Sequence, residues 1–435
     1  MAINMAKDTK KELRRQVMYS VFVRNHSEEG NFEGVRKDLD RICGLGVDII
    51  WLLPIHPIGK ANRKGELGSP YAISNYREVN PEYGNLEDFR KLVSEIHEKG
   101  MKCIIDVVYN HTSPDSWLAT NHPEWFYRKP DGNFGNKVGE WQDVIDLDYT
   151  NNDLWKYQID TLKQWAEIVD GFRCDVAPLI PLDFWLEARK EVATVRPDCL
   201  WLSESVEPIF TLENRARNMI SLSDSEIYQA FDINYEYDVY SWFTGYLTGE
   251  NTLEEYAAHI CQQESIYPDN YVKLRFLENH DNTRAHFLIQ DEKMLYNWTA
   301  FLYFQKGMTL LYAGQEMGAM HLPSLFDRDK ICWDETVGLS ELMRRLYQIK
   351  KHPLMEDSRY EVWASHKDIL CASHTKNDKG LLGIFSVRGE GALISVPLSE
   401  GIYTDLITGH TVEVHRGKLY CDGRPLIIEF QKEIV

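Results

Sequence analysis

Gly171-Phe172-Arg173-Cys174-Asp175-Val176-Ala177-Pro178 is the stretch from which the rest of the chain can be read. Val169 leads in, Phe172 and Cys174 are apolar, and the run ends abruptly in charge. Side chains alternate faces along a strand, so Arg173 and Asp175 point the same way. An aspartate two residues beyond an arginine at the carboxyl end of a strand is either a structural ion pair or a group placed for chemistry. The segments around it decide between the two.

Further strand-like apolar runs lie at 17–23, 48–54, 103–108, 200–204, 228–233, 272–277 and 308–313. Helical patterns alternate with them. One covers 35–45 and is stopped by Gly46. Another is capped by Asn85, carries Leu86, Phe89, Leu92, Val93 and Ile96 at spacings of three and four, and ends at Gly100. A third shows Trp155, Ile159, Leu162, Ala166 and Val169 on one face. Strands apolar on both faces, alternating with helices, form a parallel sheet covered on both sides. Eight such units predict an α/β fold, a (β/α)₈ TIM barrel.

The stretch 111–149, rich in Pro, Gly, Asn and Trp, is too long for an ordinary connection and reads as a short insertion after the third strand. Beyond 353, short alternating runs at 369–373, 381–387 and 426–430 are separated by Asp, Gly and Asn turns and read as a small antiparallel β domain. The expected organisation is a barrel in two parts, 1–110 and 150–353, with the insertion at 111–149 and the β domain at 354–435.

The balance of 67 acidic and 48 basic residues leaves a formal charge of −19. That excludes nucleic acid and anionic membrane as expected partners, because both call for clustered Lys and Arg. No run approaches a membrane span, and the basic segment 1–16 has no apolar core of signal-peptide length. The eight cysteines show no CxxC spacing or metal-like grouping. Buried thiols in a reducing, cytoplasmic setting are therefore expected. Twelve Trp and 23 Tyr give aromatic faces that suit a sugar or another apolar-faced ligand. Subunit number is not legible here.

The strand ends carry the chemistry. The third ends in Asp106-Val107-Val108-Tyr109-Asn110-His111, the fourth in Arg173 and Asp175, the fifth in Glu204 and the seventh in His280-Asp281. In a barrel these ends share the face that carries the active site. Crowded like charges destabilise a fold unless they have a task. Several carboxylates, without a metal cluster, a Ser/His/Asp or Cys/His set, or a Gly-rich phosphate loop, point to glycosidic bond chemistry. One carboxyl attacks or stabilises the sugar cation and another protonates the leaving oxygen. Arg173 is expected to lower the pKa of Asp175, and neighbouring carboxylates to raise that of Glu204.

These motifs resemble those of the α-amylase family, glycoside hydrolase family 13. The segments 106–111, 171–175 and 276–281, and Glu204 at its strand end, look like that family's four signatures in order. Gly68-Ser69-Pro70-Tyr71, Pro81-Glu82-Tyr83-Gly84 and the region 307–318 resemble its loop after the second strand and its eighth strand and turn.

The resemblance implies catalytic roles for Asp175 as nucleophile, Glu204 as acid and then base, and Asp281 as transition-state stabiliser. It implies substrate contacts through Tyr71, His111 and His280, with Arg173 holding Asp175 ionised. Asp106 is expected to support His111. The implied function is retaining cleavage of α-1,4-glucosidic bonds in malto-oligosaccharides or soluble starch. Alternatives are an oligo-1,6-glucosidase, an α-glucanotransferase or a non-catalytic amylase-like binding subunit. No cofactor is required. Calcium stays open through Asn110, which matches a calcium-binding residue of many relatives, although loop hydrogen bonding accounts for it as well.

The chain departs from the pattern at Val176-Ala177-Pro178-Leu179, where a sugar-contacting lysine is lost, and in the short insertion. The family's fifth signature is present only loosely, at Asp146-Leu147-Asp148.

Overall fold

The structure is a computed structural model that describes residues 6–139, 141–334 and 336–431. Eight parallel strands close into a barrel: β1 (Val17–Val21), β2 (Ile49–Leu52), β3 (Lys102–Val107), β4 (Gly171–Cys174), β5 (Leu200–Ser203), β6 (Ile233–Tyr235), β7 (Val272–Arg275) and β8 (Met308–Tyr312). They stand in sequential order, and β1 pairs with both β2 and β8. Apart from Lys102, every residue of these strands is buried, which is why the runs read as apolar on both faces. Gly171 is required where β4 meets β5, since a Cβ there would lie 2.4 Å from the Leu200 carbonyl oxygen.

The helix Leu86–Glu98 begins as its sequence dictates. The Asn85 side chain accepts from Glu87 N and Asp88 N, and Phe89, Leu92, Val93 and Ile96 turn into the core. The expected helix at 35–45 divides into Phe32–Lys37 and Leu39–Gly46, with Asp38 at the break. The sixth strand is a correction. It lies at Ile233–Tyr235 rather than 228–233, because Ser223 and Glu226 form a capping box that starts a helical turn. The Ile227 carbonyl then takes the N–H groups of Ala230 and Phe231.

After the barrel come β9 (Arg359–His366), β10 (Ile369–Lys376), β11 (Lys379–Ser386), β12 (Ala392–Ser395), β13 (Gly401–Thr404), β14 (Thr411–His415), β15 (Lys418–Cys421) and β16 (Leu426–Gln431). They form two antiparallel four-stranded sheets, β9-β10-β11-β16 and β12-β15-β14-β13. Ile369, Leu382, Ile394, Val414, Leu419 and Ile428 belong to the core between them. The first sheet also meets the barrel, where Phe385 packs on Phe301 and Phe304 at 5.3 and 5.6 Å between ring centroids. Among the described residues, no helix is long and apolar enough to cross a membrane.

Candidate active site

The carboxylates are held where the strands let go of them. Asp175 follows β4, and its N–H donates to the Val107 carbonyl at 3.0 Å. Glu204 follows β5, and its N–H donates to the Cys174 carbonyl at 3.1 Å. Each carboxylate side chain therefore leaves a backbone still pinned to the neighbouring strand.

Arg173, fully buried, organises the floor. Its Nη1 donates to Asp106 Oδ1 and Oδ2 at 2.9 and 3.1 Å, and to Asp175 Oδ1 at 2.9 Å. Its Nη2 stands 3.0 Å from Glu204 Oε2. The guanidinium also lies over the rings of Trp51, Tyr71 and Tyr235 at 5.2–5.6 Å. Such contacts stabilise a desolvated cation. Asp106 is a correction to the sequence reading. Its bonds go to Arg173 and to the Tyr71 hydroxyl, which donates to its Oδ2 at 3.1 Å, and not to His111.

His280 Nε2 lies 2.7 Å from the Tyr71 hydroxyl and 3.0 Å from Asp281 Oδ2. Its ring runs nearly parallel to that of Tyr71, with centroids 5.6 Å apart, and meets Trp51 edge-on. His111 Nε2 is 3.8 Å from Asp175 Oδ2. A two-stranded ladder sets His111 opposite Asp146, and the Trp141 ring lies 5.5 Å away. All seven site residues expected from the sequence thus meet at the carboxyl ends of the strands. Tyr71, His111, Asp175, Glu204 and Asp281 line one cleft of about 310 Å³, with Arg173 and His280 buried behind it.

Burial dominates the protonation of this cluster. It pushes Asp175 up to about 6, outweighing Arg173, which lowers it as expected. Burial likewise lifts Glu204 to about 8, with Asp175 and Asp281 adding to the rise and Arg173 opposing it. At Asp281 burial acts upward too, but the His280 contact outweighs it and the carboxyl is lowered. Burial holds His111 near 4, a neutral imidazole. One carboxyl that keeps its proton beside one that has given it up is the pairing that general acid and nucleophile chemistry uses.

Asn110 makes loop contacts through its amide nitrogen, with Nδ2 3.2 Å from His111 Nδ1 and 3.5 Å from Asp146 Oδ1, which leaves its Oδ1 outside these two contacts. Among the described residues no group of three or more His, Cys, Asp or Glu side chains converges as metal ligands.

Several cleft residues escaped the sequence reading. Lys64, Trp141, Asp143 and Phe326 line the cleft from loops with no periodic signal. The Val176 N–H donates to Glu204 Oε2 at 2.8 Å, and no sequence pattern announces a backbone contact. A larger hollow of about 1020 Å³ lies on the C-terminal sheets around Tyr420. It holds none of the strand-end carboxylates, so the smaller cleft is the candidate site.

Residues 16–368 match the family model for the α-amylase catalytic domain, and 361–428 match the bacterial α-amylase C-terminal domain. An α-amylase from Lactobacillus plantarum of known structure is 49% identical, with a TM-score of 0.95 over 97% of this chain and 100% of that one. A noncanonic maltogenic α-amylase, AmyB from Thermotoga neapolitana, is 32% identical, with a TM-score of 0.86 over 97% and 100%. The α-amylase MalA of Haloarcula japonica is 27% identical over 426 residues, 90% of this chain. The chain spans 58% of that relative's length.

Proposed function

The chain belongs to the α-amylase family, and from that premise we propose that it is a retaining α-glycoside hydrolase of α-1,4-linked malto-oligosaccharides or soluble starch. The observation that carries this reading is the pair of carboxyls, Asp175 and Glu204, on one buried guanidinium with unequal hold on a proton.

Asp175 attacks the anomeric carbon as the glycosidic C–O bond breaks, and Glu204 gives its proton to the departing oxygen. The β-glycosyl ester so formed is cleaved by water, whose proton returns to Glu204. Asp281 meets the sugar hydroxyls, with His111 and the Tyr71 ring beside it, and His280, behind the cleft, holds Asp281 and the Tyr71 hydroxyl in place. Arg173 keeps Asp175 aimed and offsets part of the cost of its charge. Asp106 is the counter-ion that keeps Arg173 in place.

A cytoplasmic setting is supported by the eight free cysteines, five of them buried. Val176 supports a second reading. In the family's α-glucosidases, valine directly after the nucleophile tends to accompany α-1,6 activity, so hydrolysis of isomalto-oligosaccharides is the alternative. Steady-state kcat/KM for maltotetraose and isomaltotriose separates the two, because specificity is that ratio. The α-1,4 reading expects maltotetraose to win. A preference of about tenfold or more for isomaltotriose replaces it with the alternative.

A further inference from the structure

The loop after β2 closes one end of the cleft, and the chemistry says which end of the substrate it meets. Strands β2 and β8 flank β1, which stands diametrically opposite β5 in a barrel of eight. Glu204, at the end of β5, is the proton donor in the reading above, on which this inference rests. The departing part of the glucan therefore lies on the β5 side. What reaches the loops after β2 and β8 is the part on the non-reducing side of the cut.

Three loops are tied together there. Lys64 Nζ, from the loop after β2, lies 2.8 Å from Asp143 Oδ1 of the insertion. The Asp143 carboxylate is only 5% exposed, whereas the lysine is 42% exposed. Lys64 also stands over the ring of Phe326, from the loop after β8, at 5.8 Å. The backbone seals the same seam, with Leu67 N and Gly68 N both donating to the Phe326 carbonyl at 3.0 and 3.1 Å. Removing the lysine would leave a buried carboxylate without its cation, so the bridge is held shut by more than a surface ion pair is. Lys64, Asp143 and Phe326 line the same cleft as Asp175. That cleft, at about 310 Å³, is at the small end of ligand sites.

We propose that the Lys64–Asp143 pair, seated on Phe326, is a wall that limits how many glucose units fit on the non-reducing side. The chain is then cut close to its non-reducing end, and glucose and maltose are the main pieces released. Lys64 is the specificity-determining residue. An ammonium has three donors, and the one that Asp143 accepts leaves others for hydroxyls of the last enclosed sugar.

The test uses maltoheptaose labelled at its reducing end, with the whole 435-residue chain and two variants. The wild type should first release unlabelled glucose and maltose. Lys64→Ala and Phe326→Ala should each raise the initial share of unlabelled pieces of three or more units, by about threefold or more. The share is read within one enzyme, so a partly unfolded variant scales every product alike and leaves it unchanged. Phe326→Ala opens the seat without removing a charge. Unchanged shares in both variants, or a wild type that releases long unlabelled pieces first, overturns the wall and leaves the hydrolase reading standing. A wild type that cleaves no maltoheptaose overturns the hydrolase reading itself.

Discussion

Val176 hands its backbone N–H to Glu204 Oε2 at 2.8 Å while its own φ is 37°, in the left-handed region. A β-branched residue seldom sits there. Such strain costs about 1–3 kcal/mol and tends to gather at functional sites. It is held here directly after Asp175, beside the two carboxyls proposed to react. Val176→Gly should relieve the strain and loosen the amide. Melting temperature should rise while kcat falls by about tenfold. A hydrogen bond to the ionised carboxylate favours ionisation, so its weakening should move the alkaline limb of the rate profile upward. A variant with unchanged kcat and pH profile would show that the contact is incidental.

Asp175→Asn and Glu204→Gln should each lower kcat by at least about 10³-fold with the fold intact, because both groups act only on the way to the transition state. Circular dichroism checks the fold and single-turnover kinetics the loss. A loss below about tenfold in either variant would reassign that carboxyl.

Activity should be bell-shaped in pH. Asp175 must lose its proton to attack, and Glu204 must keep its proton to give it away. With the two pushed up to about 6 and about 8, kcat/KM should rise through the first and fall through the second. The two limits belong to the coupled cluster rather than to single residues. The same shifts bear on stability. A carboxyl raised in the folded state is ionised sooner in the unfolded chain, so its cost to the fold grows from about pH 4.5 to about pH 8. Glu204→Gln should therefore melt above the wild type by about 2 °C or more at pH 8, and by less at pH 5.

Retention should be visible directly. Asp175 and Glu204 both reach one guanidinium, which suits the separation of about 5–5.5 Å of retaining enzymes and leaves no room for an inverting water. Proton NMR of the first product should show the α-anomer. An initial β-anomer would remove Asp175 from the nucleophile's place.

Treatment with EDTA should leave melting temperature and rate unchanged if Asn110 serves the loop, where its Nδ2 meets His111 and Asp146. A marked drop would restore the calcium reading of Asn110.

What the sequence made legible was governed by periodicity. The barrel strands are buried on both faces, so their apolar runs announced themselves, and their charged ends marked Asp175, Glu204 and Asp281. The sixth strand was misplaced because a capping box at Ser223 and Glu226 competes locally with a strand pattern at Tyr228 and beyond. The partner of Asp106 was misread because adjacency in sequence suggested His111, whereas the closed barrel brings Arg173 and Tyr71 to it. The direction of the Asp175 shift depends on depth of burial, which no motif records. Lys64, Asp143 and Phe326 come from three separate loops, and no spacing joins them before the barrel closes.

Closure has a schedule of its own. Val17 pairs with Thr309 and Ser20 with Tyr312, so the first strand made waits for the last. At about 5–20 residues per second, a ribosome needs roughly 15–60 s to supply the stretch between them. Through that interval the N–H and C=O groups on one side of β1 have no partner, an open edge of the kind that templates association between nascent chains. Production of this enzyme should thus be limited by protection of its amino-terminal third during synthesis, and slower translation or scarcer chaperone should cost yield before it costs the activity of the molecules that finish.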